Sequence, residues 1–191
     1  MTLAHASDAE YSLIHQAQQG NLNAFGELAR RYYDGVVRVV YRMCGDVQIA
    51  EDATQEAFIR AWKKLPAYQP RAPFHNWLYR IAINAALDFL RQKPTLDIEE
   101  EATMIADPNP GPEAALLEKE QAEFLQKAIQ KLPAAARTVL VLREYGELSY
   151  QEIASVLEIP IGTVMSRLNY ARKALRDALQ EVRYGTEKAY A

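Results

Sequence analysis

SYQEIASVLEIPIGTVMSRLNYARKALRDALQEV, residues Ser149 to Val182, has the spacing of a helix-turn-helix with a long second helix. Ser149 and Glu152 form a capping box, in which the hydroxyl takes the Glu152 N–H and the carboxylate reaches back. Tyr150, Ile153, Ala154 and Leu157 give the short helix its apolar face. Pro160 closes the turn, because its ring fixes φ and it has no N–H to donate to a preceding turn. Beyond it Val164, Leu168, Ala171 and Leu175 recur at helical spacing and predict one buried stripe. Ile161, Gly162, Thr163, Met165, Ser166, Arg167, Asn169, Tyr170 and Lys173 fall on or beside the other face, with Arg172 on its flank. That surface is small, polar and cationic, as a DNA major groove requires of a recognition helix. An ordinary solvated face is charged too, but the capped short helix, proline turn and in-register second helix together favour DNA.

The chain has 191 residues, room for two domains, and 49% hydrophobic residues, enough for real cores. Its one cysteine, Cys44, excludes an internal disulfide and a cysteine-cluster metal site, so a reducing cytoplasm is expected. His5, His15 and His75 lack ligand spacing, and no nucleotide loop of the form GxxxxGK[ST] is present; no cofactor is expected. No apolar run approaches the roughly 18 residues of a membrane span, and the N-terminus lacks the basic start and apolar core of a secretory leader.

A net charge of −3 is unexpected for a DNA binder. Residues 1–93 carry 11 basic and 9 acidic groups, 94–123 carry 1 and 9, and 124–191 carry 10 and 7. The acid sits in the middle, and the flanking fields are weak against the many phosphate contacts of an autonomous binder. Affinity borrowed from a larger partner is expected.

In chain order, a first helix is expected over Ala9 to Gln19, with Asn23 capping a second that runs to about Cys44 and is core on Phe25, Leu28, Tyr32, Val36, Val39, Val40 and Met43. Asp46 caps a third, Val47–Lys64. Its Ala50, Ala53, Ala57 and Ala61 face inward with Phe58 and Trp62, whereas Asp52, Glu56 and Arg60 line up outside with Gln55. By composition that outer row reads as a solvated face with a weak Glu56–Arg60 pair. Leu65 to Pro73 holds three prolines in nine residues and must be a loop. The next helix turns Leu78, Ile81, Ala82, Ala85 and Phe89 inward, and Arg80, Ile83, Asn84, Leu87 and Arg91 outward. Tyr68, Phe74, Trp77 and Tyr79, interleaved with Arg71, His75, Arg80 and Asn84, suit a single strand, with π-faces for bases and cations for phosphates. Burial of Phe74 and Trp77 in the core is the competing reading. Residues 94–112 are proline-rich and acidic, a linker acting either as a spacer or as a mimic of a nucleic-acid backbone. Three helices precede the recognition helix beyond it, with Pro112 near the start of the first, Pro133 starting the next and Gly146 ending that one. Tyr184 to Ala191 reads as a frayed tail.

TQEAFIRAW (54–62), FHNWLYRIAINAALDFLR (74–91), the acidic break, and LPAAARTVLVLREYGELSYQEIASVLEIPIGTVMSRLNYARKAL (132–175) together resemble a bacterial RNA polymerase sigma factor of the extracytoplasmic-function (ECF) group. The match runs from about Tyr11 to Leu179. The resemblance implies an all-α protein of two helical domains: sigma region two over 1–93, a flexible linker over 94–112, and sigma region four over 113–191.

It further implies that the protein is not an enzyme but directs transcription initiation on core RNA polymerase. Asp52, Gln55, Glu56, Phe58 and Arg60 would meet the clamp helices of the largest subunit. Tyr68, Arg71, Phe74, His75, Trp77, Tyr79, Arg80, Asn84 and Arg91 would read and hold the melted minus-ten element. Residues 161–176 would read the minus-thirty-five duplex; Ser166 and Arg167 keep a common family pairing, whereas Asn169 and Tyr170 depart from the basic or aromatic-then-Arg pair frequent at their positions. A cognate anti-sigma factor is implied, with no membrane insertion and a cytoplasmic location. Opening DNA costs roughly 1.4 kcal/mol per base-pair step, so without hydrolysis the expected mechanism is passive capture of one or two extruded bases. Two other readings are a dimeric helix-turn-helix repressor, which would footprint a palindrome alone, and a sigma mimic that sequesters an anti-sigma factor. Asn84, Arg167 and the aromatic loop argue against the mimic.

Overall fold

Gly20, at φ 91°, turns the chain so that Asn21 stands extended before the longest helix of the N-terminal half. Its side chain accepts from the N–H groups of Asn23 (3.0 Å) and Ala24 (3.2 Å), so Asn21 is the cap and not Asn23. A computed structural model describes residues 8–70, 72–92 and 112–189. Its helices are α1 (Asp8–Gln18), α2 (Leu22–Cys44), α3 (Val47–Lys64), α4 (Phe74–Gln92), α5 (Pro112–Gln130), α6 (Ala134–Glu144), α7 (Tyr150–Leu157) and α8 (Ile161–Ala189). A 3-10 turn, Leu65–Ala67, follows α3. No strand occurs among the described residues, and α8 continues to Ala189, past the Tyr184 at which a frayed tail was expected.

The helical periods are realised closely. Asp46 caps α3 through the Ile49 N–H (2.9 Å). Ala53, Ala57 and Ala61 of α3, and Ala82, Ala85 and Ala86 of α4, are all fully buried. Such small side chains let the two helices lie close along their length. One expectation on α4 fails: Ile83, assigned to the outer face, is 1% exposed. The period sets it off the stripe of its own domain, and it lies in the junction cleft with Ala134, Thr138 and Val156 of the C-terminal half.

That cover departs most from the sequence reading, which expected two modules on a tether. Here α5 and α6 pack on α2, and α7 packs on α4. Buried residues of both halves form one contiguous cluster. The chemistry of the junction follows from how α2 ends. Gly45 closes the helix at φ 76°, donating to the Tyr41 carbonyl (2.8 Å), and the next carbonyls have no helical donor of their own. Gln130 Nε2 donates to the Arg42 carbonyl (2.9 Å), and Arg137 Nη1 to the Met43 carbonyl (2.9 Å). The Arg42 guanidinium lies 4.7 Å from the Tyr145 ring centre and donates to Gln126 Oε1 (2.8 Å). A cation at a helix C-terminus also opposes the negative end of the dipole favourably.

Candidate nucleic-acid interface

The recognition helix is set by the turn before it. The Ser149 N–H donates to Glu152 Oε2 (2.8 Å) and the Glu152 N–H to the Ser149 hydroxyl oxygen (3.3 Å), which is the expected capping box. Glu158 ends α7 at φ 53°, and the Ile159 N–H donates to the Ala154 carbonyl (3.1 Å). The Pro160 carbonyl then receives the Thr163 and Val164 N–H groups, starting α8. Val164, Leu168 and Ala171 are fully buried, as the stripe required. Ile161, Gly162, Met165, Ser166, Asn169, Tyr170 and Lys173 stand exposed on the opposite side, and Tyr170 is 56% exposed. Thr163 and Arg167 are half-buried beside them. Arg172 turns away, donating to Glu144 (2.8 Å) on α6.

On α4 the aromatic residues divide differently from expectation. Phe74 (2% exposed), Tyr68 (7%) and Tyr79 (9%) are core, so in this conformation none offers a free face for a base to stack on. Tyr68 packs on Trp77 and Phe74 at ring distances of 4.9 and 5.5 Å, and Phe74 on Tyr32 at 5.6 Å. The reason is that the proline loop is too short to bury itself, and its rings complete the core beneath it. Burial pushes the Tyr68 hydroxyl up to about 12. Gly35 gives the Tyr79 hydroxyl its space, since a Cβ there would stand 3.0 Å from that oxygen. Trp77 is partly buried, whereas Arg80, Asn84 and Arg91 are exposed. Arg71 lies outside the described residues.

Those exposed groups face the helix-turn-helix. Arg80, Asn84 and Arg91 line a cleft of about 630 Å³ together with Arg137, Glu158 and Arg167 of the other domain. Arg80 pairs with Glu158 at 2.8 Å. Asn76 Nδ2 donates to Glu152 Oε1 (3.3 Å), and His75 Nε2 lies 3.8 Å from the same oxygen. Burial pulls His75 below the ordinary histidine range, against the pull of Glu152 and Glu10. For Glu152 burial pushes upward, but hydrogen bonds from Ser149 and Asn76 outweigh it and hold the carboxyl below its usual value.

The outer face of α3 carries exposed Asp52 and Gln55, with Glu56 half-buried. Arg60 does not point free: it bridges Glu56 and Asp88 of α4, each at 2.7 Å. Phe58 stacks on Tyr33 at 6.0 Å beside exposed Ile59, so this face mixes acid with an apolar patch. Sequence reasoning missed Tyr33 and Ile59 here, and Asn76, Gln126, Gln130 and Arg137 at the domain junction. The two amides Gln126 and Gln130, four residues apart on one helix face, were the available signal.

Among the described residues no His, Cys, Asp or Glu cluster could hold a metal, and no helix is long and apolar enough to cross a membrane. Residues 28–94 match the family model described as Sigma-70 region 2, and residues 123–175 the one described as Sigma-70, region 4. The ECF RNA polymerase sigma factor SigW of Bacillus subtilis (strain 168) is 39% identical over 180 residues, 88% of this chain and 96% of that protein. The structure of CnrH in complex with the cytosolic domain of CnrY matches at a TM-score of 0.70 and 28% identity, covering 91% of this chain and 99% of that one. The sigma factor RpoE of Bartonella quintana, solved with the anti-sigma factor NepR, shares the fold at a TM-score of 0.69 and 21% identity, covering 83% and 98%.

Proposed function

The chain belongs to the extracytoplasmic-function group of sigma-70 factors, and on that premise we propose that it binds core RNA polymerase and directs initiation at particular promoters. Residues 1–93 form the domain that docks on polymerase and takes the minus-ten strand, 94–112 the linker, and 113–191 the domain that reads the minus-thirty-five duplex. The observation that carries this is the start of α8. Its outer side stays exposed, with polar Ser166, Asn169 and Lys173 beside Ile161, Met165 and Tyr170, while Val164, Leu168 and Ala171 lock the inner side at 0% exposure. The mixed acidic and apolar face of α3 supports docking on the clamp helices of the largest subunit. The protein performs no chemistry itself, and it acts where polymerase acts, in the cytoplasm.

The described conformation is the resting form. The two promoter elements lie about 25 base pairs apart, roughly 85 Å of duplex at 3.4 Å per step. Arg80 of α4 and Glu158 at the end of α7 are 2.8 Å apart. One molecule so closed cannot occupy both elements, and polymerase binding must separate the halves. A cognate anti-sigma factor would favour the closed form, and the solved complex of CnrH with CnrY supports a protein partner. Reconstitution with core polymerase tests the proposal: promoter-specific RNA is expected only with both present. Tight binding of a palindrome without polymerase, or no transcript at all, would overturn it.

A further inference from the structure

We propose that α1 is a brace for the promoter-strand loop, with Gln18 as its positioning residue; this rests on the minus-ten role given above to the loop between Leu65 and Phe74. The loop holds Pro66, Pro70 and Pro73, which have no N–H, so little of its own backbone can fasten it. Its carbonyls need donors from elsewhere. Gln18 Nε2 supplies them, donating to the Tyr68 carbonyl (2.8 Å) and to the Leu65 carbonyl (3.2 Å). Both amide hydrogens are used, and the two acceptors fix which end of the amide is nitrogen.

The far side of the loop is tied by Tyr68 itself, whose hydroxyl donates to the Ala72 carbonyl (3.0 Å). With its ring in the aromatic cluster, Tyr68 is the pivot of the loop, and Gln18 holds that pivot by the backbone. Gln69 and Pro70 are thereby left exposed at the crest. The brace is anchored in turn. Ile14 and Ala17 are buried, and the Tyr32 hydroxyl donates to buried Glu10 (2.8 Å). The region-two family match begins only at residue 28, so α1 lies outside it.

The test compares wild type with Gln18→Met, which keeps volume but has no donor, and Gln18→Lys, which restores one. In the free chain, hydrogen exchange at the Tyr68 amide, which donates to the Leu65 carbonyl (3.0 Å), should speed up in Gln18→Met while α2 amides are unchanged. In holoenzyme, permanganate reactivity of minus-ten thymines should fall about tenfold, the loss expected for two hydrogen bonds. Core binding and minus-thirty-five protection should hold, and Gln18→Lys should recover most of the reactivity. Unchanged loop exchange, or equal loss of all three holoenzyme readouts, overturns the brace. Faster exchange with a wild-type holoenzyme that melts nothing leaves the brace standing and overturns the promoter role instead.

Discussion

Replacing Arg42 by Ala should open the closed form without harming either domain. Within its own half, the Arg42 guanidinium lies 5.7 Å from the neighbouring Tyr41 ring. Across the junction it covers the Tyr145 ring and donates to Gln126, which is 4% exposed. A charged hydrogen bond is worth about 1.5–3 kcal/mol and a half-buried cation–π contact about 1, not fully additive. A net loss of about 2–3 kcal/mol follows, a shift of roughly 30- to 150-fold toward the open form. The junction is already weak, because Nε of Arg42 and Nε of Arg137 are buried with no hydrogen-bond partner among the described residues. Spin labels at exposed Arg30 and Lys173, read by pulsed electron resonance, should report one narrow distance distribution in wild type and an added broad component in Arg42→Ala. An unchanged distance together with a lower melting temperature would mean that Arg42 serves the fold and not the junction.

Acidification should weaken the fold through His75. Burial holds its folded pKa below the ordinary 6.5, so the unfolded chain takes the proton more readily than the folded one. The stability this contributes is fully present above about 6.5 and is lost as pH falls toward the folded value, and His75→Gln should flatten urea-unfolding stability against pH over that window. Ser149→Ala should cost about 1 kcal/mol in urea unfolding through loss of the cap. Glu152→Ala should cost more, since it also releases Asn76 across the junction. Asn84→Ala should lower minus-ten permanganate reactivity in holoenzyme while leaving core binding intact; equal reactivity would remove Asn84 from the reading set.

The helix-turn-helix was legible because each of its signals is local: the capping box, the proline and the apolar period all act within a few residues. So were α3, capped at Asp46, and the aromatic loop. What sequence periodicity cannot give is the identity of whatever covers a face. Ile83 sits off the stripe of its own domain and yet is buried, for its cover comes from elsewhere in the chain. The Phe74 and Tyr68 rings were expected at the surface because aromatics beside cations fit a base, but the same composition fits a core beneath a thin loop. With Phe74 at 2% exposure, its replacement by Ala should cost about 3–5 kcal/mol of fold stability before any DNA is met. Asn21 was missed in favour of Asn23 because both are good caps, and only the turn at Gly20 decides between them.

The alanine seam between α3 and α4 has a mechanical meaning. Six fully buried methyl groups and the Arg60 bridge to Asp88 weld the two helices into a single plank; on the proposed function one broad side would face polymerase and the other edge the promoter strand. A plank transmits a push without bending. On the proposed function, a polymerase that takes α3 would carry α4 with it as a rigid body, so prying the closed halves apart and delivering Asn84 to its strand would be one displacement.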